Sequence, residues 1–234
     1  MLMKTKVLTV NLREREKAAR SIEQAAKAIS AGEVIVFPTE TSYGLGADAT
    51  NPQAVAKVYE LKGRPEGKPL PIIVSDLGMA KEYAEINPVA EELARAFMPG
   101  PLTLIVDKKP SLPDALSKQG VAFRIPSNHF ARAITSESGK PVTSTSANES
   151  DKPPIYRESE VRQAFEGKVP LILSSGDLTE TLSSTIIDTR CYPPKLVREG
   201  PVPFTEIMKV LDSIAKKAEE SMPSVCPPAV EVQE

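Results

Sequence analysis

The strongest constraint on the fold is an alternation of short apolar runs with stretches of helical period. The runs EVIVFPT (33–39) and LTLIVDKK (102–109) have the length of strands. Between them, PQAVAKVYELK (52–62) repeats apolar residues three and four positions apart, and Asn51 ahead of Pro52 is typical of a helix start. Interleaved strands and helices predict an α/β fold.

The spacing of the predicted strands is not that of a strict βαβ repeat. Three apolar runs follow one another between Leu171 and Gly200 with only turns between them, and LTLIV lies close to VAFRIP. This arrangement predicts a mixed sheet that contains antiparallel pairs. We expect residues 1–221 to form a single domain, and the Pro-rich, aperiodic residues 222–234 to form a disordered tail.

Composition excludes several kinds of site. The net charge of −2 gives no global positive field for nucleic acid. No run approaches the roughly 18 apolar residues that span a bilayer, and the N-terminus lacks a signal-peptide core, so we expect a cytoplasmic protein without membrane contact. The two cysteines, Cys191 and Cys226, and the single His129 cannot build a zinc or histidine metal site. His129 is more typical of a helix start than of catalysis.

Polar or cationic side chains stand next to the apolar runs at six places, where α/β folds bind ligands. Each has a structural alternative: a polar turn, cations favoured by a helix dipole, or, for Arg124, an ion pair within the sheet. Together the six predict a ligand crevice with anion-binding and hydroxyl-binding groups. The six stretches are PTETSYGLG (38–46), KGRPEGK (62–68), VAFRIP (121–126), VTSTSAN (142–148), SSTIIDT (183–189) and LVREG (196–200).

Taken together, these motifs resemble the YrdC-like family of threonylcarbamoyl-AMP synthases. The segments that carry the resemblance are FPTETSYGLGADA, KGRPEGKPL, PGPLTLIV, VAFRIP, TSTSAN, SSTIIDT and VREGP, in the family's order from about Val34 to Pro201. The resemblance implies a twisted, mixed parallel and antiparallel sheet flanked by helices around a concave, basic ligand cavity. It is closest to the family's short, single-domain form. One departure is Asp151 in SANESD, where many relatives have glycine.

The resemblance also implies a reaction. L-threonine, bicarbonate and ATP give threonylcarbamoyl-AMP and pyrophosphate, and a transferase complex then moves the threonylcarbamoyl group to the adenosine next to the anticodon of tRNA. Mg²⁺ would travel with ATP, without a metal site of the protein's own.

The resemblance assigns individual residues to the two substrates. Lys62 and Arg64 would be the catalytic pair, which positions the phosphates and stabilises their charge. Arg124 would hold the threonine carboxylate through two parallel hydrogen bonds. The ATP set is Lys62, Arg64, Ser146, Asn148, Arg198 and Tyr43, and the threonine set is Thr39, Arg124 and Ser184.

Two other functions compete with this interpretation. A YciO-type paralogue would bind nucleotide or double-stranded RNA, including tRNA, without synthase activity. The hydrogenase-maturation carbamoyltransferase embeds the same kind of domain among acylphosphatase and zinc-finger segments, which this sequence does not contain. Thr39, Arg124 and Ser184 favour the synthase, because an RNA surface does not need a buried amino-acid clamp.

Overall fold

The computed structural model describes residues 3–65, 68–150 and 152–221, and within these ranges the chain forms twelve strands and seven helices. The strands are β1 (Lys6–Thr9), β2 (Ile35–Pro38), β3 (Tyr43–Gly46), β4 (Ile72–Ile73), β5 (Ala84–Glu85), β6 (Leu102–Lys108), β7 (Gly120–Arg124), β8 (Val142–Thr143), β9 (Thr145–Ser146), β10 (Leu171–Ser174), β11 (Thr185–Asp188) and β12 (Lys195–Arg198). The helices are α1 (Arg15–Ser30), α2 (Pro52–Lys62), α3 (Leu77–Tyr83), α4 (Pro88–Phe97), α5 (His129–Ser138), α6 (Glu158–Phe165) and α7 (Phe204–Ser221).

The strands form two mixed sheets, where the sequence predicted one. A five-stranded sheet has the order β1-β10-β2-β3-β9, and a seven-stranded sheet has the order β12-β11-β6-β7-β4-β8 with β5 beside β6. The predicted antiparallel pairing of LTLIV with VAFRIP is confirmed as β6–β7, and β11 pairs antiparallel with β12. The prediction was wrong for β10, which lies in the other sheet, parallel to β1 and β2.

The chain crosses from one sheet to the other at Ser144. β8 pairs with β4 of the seven-stranded sheet, and β9, one residue later, pairs with β3 of the five-stranded sheet. Thr143 is fully buried, and its hydroxyl accepts a hydrogen bond from the Ala47 N–H at 3.0 Å, which holds the crossing against the end of β3. Short strands separated by one residue therefore bring the edges of both sheets together at this point.

Helices α2 and α5 begin where the sequence predicted them. Asn51 caps α2 by accepting from the N–H groups of Gln53 and Ala54, and Asn128 caps α5 in the same way. Helices α1 and α5 pack over one face of the five-stranded sheet, and their apolar side chains cover Phe37 and Leu173. This core packs against β2 and β10, and β2 leads directly into the residues of the site.

No helix within the described ranges is long and apolar enough to cross a bilayer. The predicted tail at 222–234, Cys226 in it and the departure at Asp151 all lie outside the described residues. The boundary of the single domain at 221 stays a prediction.

Candidate functional site

A cavity of about 390 Å³ lies on one face of the seven-stranded sheet. Its floor is the row of side chains that alternation along the strands places on that face: Ile73 of β4, Ile105 of β6, Ala122 of β7 and Ile186 of β11. Strand register places Arg198 opposite Ile186 and Arg124 opposite Ile73, so one cationic side chain stands on the edge strand β12 and another on β7, between β6 and β4. The cavity is therefore apolar at its base and cationic at its margins.

Five of the nine predicted site residues line this cavity, and four lie behind its wall. The lining residues are Arg64, Arg124, Ser146, Ser184 and Arg198. The other four, all buried, are Thr39, Tyr43, Lys62 and Asn148.

Arg124 ends β7 with its side chain only 8% exposed. Its Nη1 donates to Glu40 Oε1 at 3.0 Å and lies 3.5 Å from the Thr41 hydroxyl. Its Nε and Nη2 make no hydrogen bond to a described residue. Burial lowers the pKa of Arg124 and the neighbouring Glu40 acts in the opposite direction, but the guanidinium stays charged. The structural alternative, an ion pair, is thus present, and it uses only one corner of the guanidinium.

Ser184, Thr103 and Arg198 form a polar cluster around the start of β11. The Ser184 hydroxyl lies 2.8 Å from that of Thr103, and both residues are nearly fully buried. Arg198 donates to the Ser184 carbonyl from Nε at 3.0 Å and from Nη2 at 2.8 Å. Burial, and after it repulsion from Arg124, lowers the pKa of Arg198. Arg124 and Arg198 both line this cavity.

Lys62 does not line the cavity, although it closes α2 beside it. The residue is 2% exposed, and its Nζ donates to Ser146 O at 2.6 Å, to Asn148 O at 2.8 Å and to Asn148 Oδ1 at 2.9 Å. Burial lowers the pKa of Lys62 to about 8, and the positive charges of Arg64 and Lys68 add to that effect. All three ammonium hydrogens therefore bind the segment 146–148, which we call the Ser146–Asn148 loop.

The Ser146–Asn148 loop presents Ser146 to the cavity and keeps Asn148 behind it. The Ser146 hydroxyl donates to Asn148 Oδ1 at 2.5 Å, and Asn148 Nδ2 donates to the Lys152 carbonyl. Arg64, two residues beyond the end of α2, is half-buried and donates to the carbonyls of Lys68 and Pro69. The loop and Arg64 are both positioned mainly by hydrogen bonds to backbone oxygen.

Thr39 builds a turn beside the cavity and does not reach it. Its hydroxyl accepts from the N–H groups of Thr41 and Ser42 at 3.1 and 3.2 Å and donates to the Ser42 carbonyl at 2.7 Å. Thr41 and Ser42 line the cavity in its place. Residues 39–42 are called the Glu40 turn below.

Tyr43 does not stand in the cavity wall, in contrast to its predicted place in a nucleotide pocket. Its side chain is fully buried in β3 and points towards β10, where the hydroxyl donates to the Gly176 carbonyl at 2.6 Å and accepts from the Ser175 N–H at 3.3 Å. Strand register explains the difference: Gly44 lies opposite Ser146, which lines the cavity, so the neighbouring Tyr43 points to the other face of the sheet.

Two other residues of the site were only partly predictable from the sequence. Thr103 is a hydroxyl within an apolar strand, and it lines the cavity. Glu40 stood in the first polar stretch without a role, and its partnership with Arg124 spans 84 positions. Among the described residues, no group of three or more His, Cys, Asp or Glu side chains is placed to hold a metal ion. The cavity can bind anions through guanidinium groups and orient a small polar ligand through hydroxyls.

Comparison with known proteins agrees with this architecture. The family model Sua5_yciO_yrdC, described as Telomere recombination, matches residues 27–200. The threonylcarbamoyl-AMP synthase of Pyrococcus abyssi is 38% identical over 210 residues, which cover 88% of this chain and 62% of that protein. This chain therefore spans about three fifths of that relative's length.

Two solved structures give the same result. The crystal structure of P. abyssi Sua5 complexed with L-threonine superposes with a TM-score of 0.83 at 38% identity, over 88% of this chain and 61% of that one. The crystal structure of Escherichia coli YciO superposes with a TM-score of 0.74 at 26% identity, over 84% of this chain and 96% of that one. The resemblance read from the motifs is confirmed: the chain belongs to the Sua5/YciO/YrdC family.

Proposed function

We propose that this chain is an L-threonylcarbamoyladenylate synthase, which makes threonylcarbamoyl-AMP and pyrophosphate from L-threonine, bicarbonate and ATP. The observation that carries the proposal is the buried Arg124, which is held by Glu40 at Nη1 and keeps Nε and Nη2 for a ligand. These two nitrogens form the edge that binds a carboxylate through parallel hydrogen bonds. The printed names of the P. abyssi relative and of its threonine complex support the same activity.

The threonine end of the cavity matches a small amino acid that carries a hydroxyl and a methyl group. Arg124 takes the carboxylate, the hydroxyl groups of Ser184 and Thr103 offer partners for the β-hydroxyl, and Ile105 and Ala122 give an apolar surface for the methyl group. A site whose buried hydroxyls pair with a substrate hydroxyl discriminates against analogues that lack it.

The groups that take the nucleotide are Arg64, Arg198 and the Ser146–Asn148 loop, which stand around the cavity. Bicarbonate takes up a proton and loses water to give CO₂, and the threonine amine adds to CO₂ and releases a proton, which gives a carbamate. The carbamate oxygen attacks the α-phosphorus of ATP while the bond to the β-phosphate oxygen breaks and pyrophosphate leaves. The guanidinium groups stabilise the charge on the phosphoryl oxygens. Lys62 acts on this step through the loop that it binds, and Mg²⁺ enters with the triphosphate. Since Arg198 contacts Ser184, the two substrates meet there, as in-line attack requires.

The product then passes to a transferase complex, which places the threonylcarbamoyl group on tRNA. This assignment needs no direct RNA contact by the chain itself. The second candidate is a nucleotide- or double-stranded-RNA-binding protein of the YciO type. It is favoured by the match to E. coli YciO, of which this chain covers 96%.

Pyrophosphate release separates the two candidates. We expect release from ATP and bicarbonate that depends on L-threonine, with much less from L-serine, which lacks the methyl group. An assay without bicarbonate serves as the control for simple ATP hydrolysis. If ATP or RNA binds while no amino acid stimulates release, the YciO-type function is the correct one. RNA binding would also weaken steeply with salt, because it releases counterions.

A further inference from the structure

Among the described residues, Glu40 is the one carboxylate that forms an ion pair with an arginine of the cavity, Arg124. It lies at the apex of the Glu40 turn, which the Thr39 hydroxyl closes from below. The side chain is 17% exposed, and both of its oxygens are used. Neither the motif reading nor the proposed reaction gives it a role.

The Glu40 carboxylate joins three separate parts of the fold. Oε1 accepts from Arg124 Nη1 at 3.0 Å and from the Ser127 N–H at 3.3 Å, and Oε2 accepts from the Asn128 N–H at 3.4 Å. Arg124 ends β7, Ser127 and Asn128 lead into α5, and the turn itself follows β2. One side chain thus fixes the positions of a strand end, a helix entrance and a loop of the cavity wall.

We infer that Glu40 is the positioning residue for the amino-acid end of the site: it holds the Arg124 guanidinium so that Nε and Nη2 face the cavity. This inference rests on the proposed function for the identity of the ligand. A long arginine side chain without this contact can rotate about its terminal bonds, and a carboxylate then meets several orientations in place of one. Glu40 does not touch the substrate in this role.

The negative charge of Glu40 could also oppose substrate binding, so the direction of the change in threonine affinity tests the inference. Glu40 is negative, and a second carboxylate on Arg124 meets its repulsion. If Glu40 were only a counter-ion that competes with the substrate, its removal would tighten binding of L-threonine. If it positions Arg124, removal weakens binding, because the oriented hydrogen bonds are lost.

The test compares Glu40→Ala and Glu40→Gln with Asp188→Asn. Asp188 pairs with Arg190 outside the cavity wall and is 16% exposed, so it matches Glu40 in burial and in partner type. We expect Glu40→Ala to raise the KM for L-threonine about ten- to a hundredfold, the range for a charge-assisted hydrogen bond, with the KM for ATP changed less than about threefold. Glu40→Gln keeps the shape and one acceptor oxygen, which can still bind Arg124, so its effect should be smaller. Asp188→Asn should change neither constant.

A nuclear magnetic resonance readout does not depend on the reaction. The Arg124 Nε–H signal, assigned by its loss in Arg124→Lys, should be sharp in the wild type and in Asp188→Asn, and averaged in Glu40→Ala. An unchanged signal in both Glu40 variants overturns the inference, and so does an unchanged or lower threonine KM. If Glu40→Ala does not fold, Glu40→Gln decides by the same criteria. If the wild type shows no threonine dependence while the signal averages in Glu40→Ala, the proposed function fails and the positioning role stands.

Discussion

Replacing Lys62 by methionine tests whether this lysine acts through the Ser146–Asn148 loop or directly on phosphate. Methionine keeps most of the side-chain volume in a nearly fully buried position and removes the ammonium. Three hydrogen bonds disappear, to Ser146 O, Asn148 O and Asn148 Oδ1. The loop then loses the contact that fixes it to the end of α2.

The cost follows from what the lost ammonium leaves behind. Its own desolvation penalty disappears together with its hydrogen bonds, so those two terms largely offset each other. Asn148 Oδ1 still accepts from the Ser146 hydroxyl at 2.5 Å, whereas the buried Asn148 carbonyl loses its donor and the half-buried Ser146 carbonyl can turn to water. One buried acceptor without a partner costs about 1–3 kcal/mol. We expect Lys62→Met to lower the free energy of unfolding by about 2 kcal/mol and to weaken ATP binding.

Urea denaturation and a nucleotide titration measure the two effects. Arg64→Met is the matched control: Arg64 is a half-buried cation whose donors reach the Lys68 and Pro69 carbonyls, so we expect a loss of less than about 1 kcal/mol together with weaker ATP binding. The reasoning is refuted if Lys62→Met unfolds at the same urea concentration as the wild type while ATP binding falls as in Arg64→Met. Lys62 would then act on the phosphates themselves.

Three further changes have definite expected outcomes. Burial lowers the pKa of Lys62 to about 8, whereas a lysine in the unfolded chain has a pKa of about 10.4, so the unfolded state holds more protons between these two pH values. The free energy of unfolding of the wild type should therefore rise from pH 8 upward relative to that of Lys62→Met. If urea denaturation gives the same pH dependence for both proteins, this prediction is wrong. A Cβ on Gly200 would lie 2.2 Å from the Ser183 carbonyl oxygen. Gly200→Ala should therefore lower the free energy of unfolding, measured by urea denaturation, by about 1–3 kcal/mol, and should raise the threonine KM by moving Ser184. The control Gly139→Ala, whose Cβ would have nothing within 4 Å, should leave the threonine KM unchanged. Tyr43→Phe should lower the free energy of unfolding by about 1–2 kcal/mol, because the Ser175 N–H and the Gly176 carbonyl lose a hydrogen-bond partner, and should leave the ATP affinity unchanged. A loss of ATP affinity as large as that of Arg64→Met would show that Tyr43 belongs to the nucleotide pocket.

Local features of the chain were predictable because local forces decide them. Asn51 and Pro52 start α2 through a cap and a fixed φ, and the apolar period of residues 15–30 gives α1 whatever it packs against. The division into two sheets was not predictable in this way. Strand β10 lies between β1 and β2, which are more than 130 positions away, and β8 and β9 have only two residues each. Such pairings are chosen by the packed core, and a two-residue strand has no period to detect.

The same distinction applies to the site. The motifs place Arg124, Ser184 and Arg198 at strand ends, and the structure brings all three to one cavity. The hydrogen bonds of a polar turn decide which of its hydroxyls faces the cavity. Thr41 lines the cavity, whereas the Thr39 hydroxyl is hydrogen-bonded to backbone groups of the turn. Residue type predicted the chemistry of this wall, and the turn geometry decided which residues supply it.

The distribution of counter-charge gives the cavity two different ends. Arg124 is paired with Glu40, so the net charge there is close to that of a neutral pair, whereas Arg198 is held by the Ser184 carbonyl and makes no ion pair with a described residue. An amino acid is a zwitterion without net charge, and a triphosphate carries several negative charges. A neutral pair suits the first ligand, because its Arg binds one carboxylate without attracting a polyanion, and an uncompensated guanidinium suits the second. Glu40→Gln removes the negative charge that compensates Arg124, so ATP or pyrophosphate should become a competitive inhibitor against L-threonine in this variant. The absence of such competition would show that the neutral pair does not exclude phosphate from the amino-acid end.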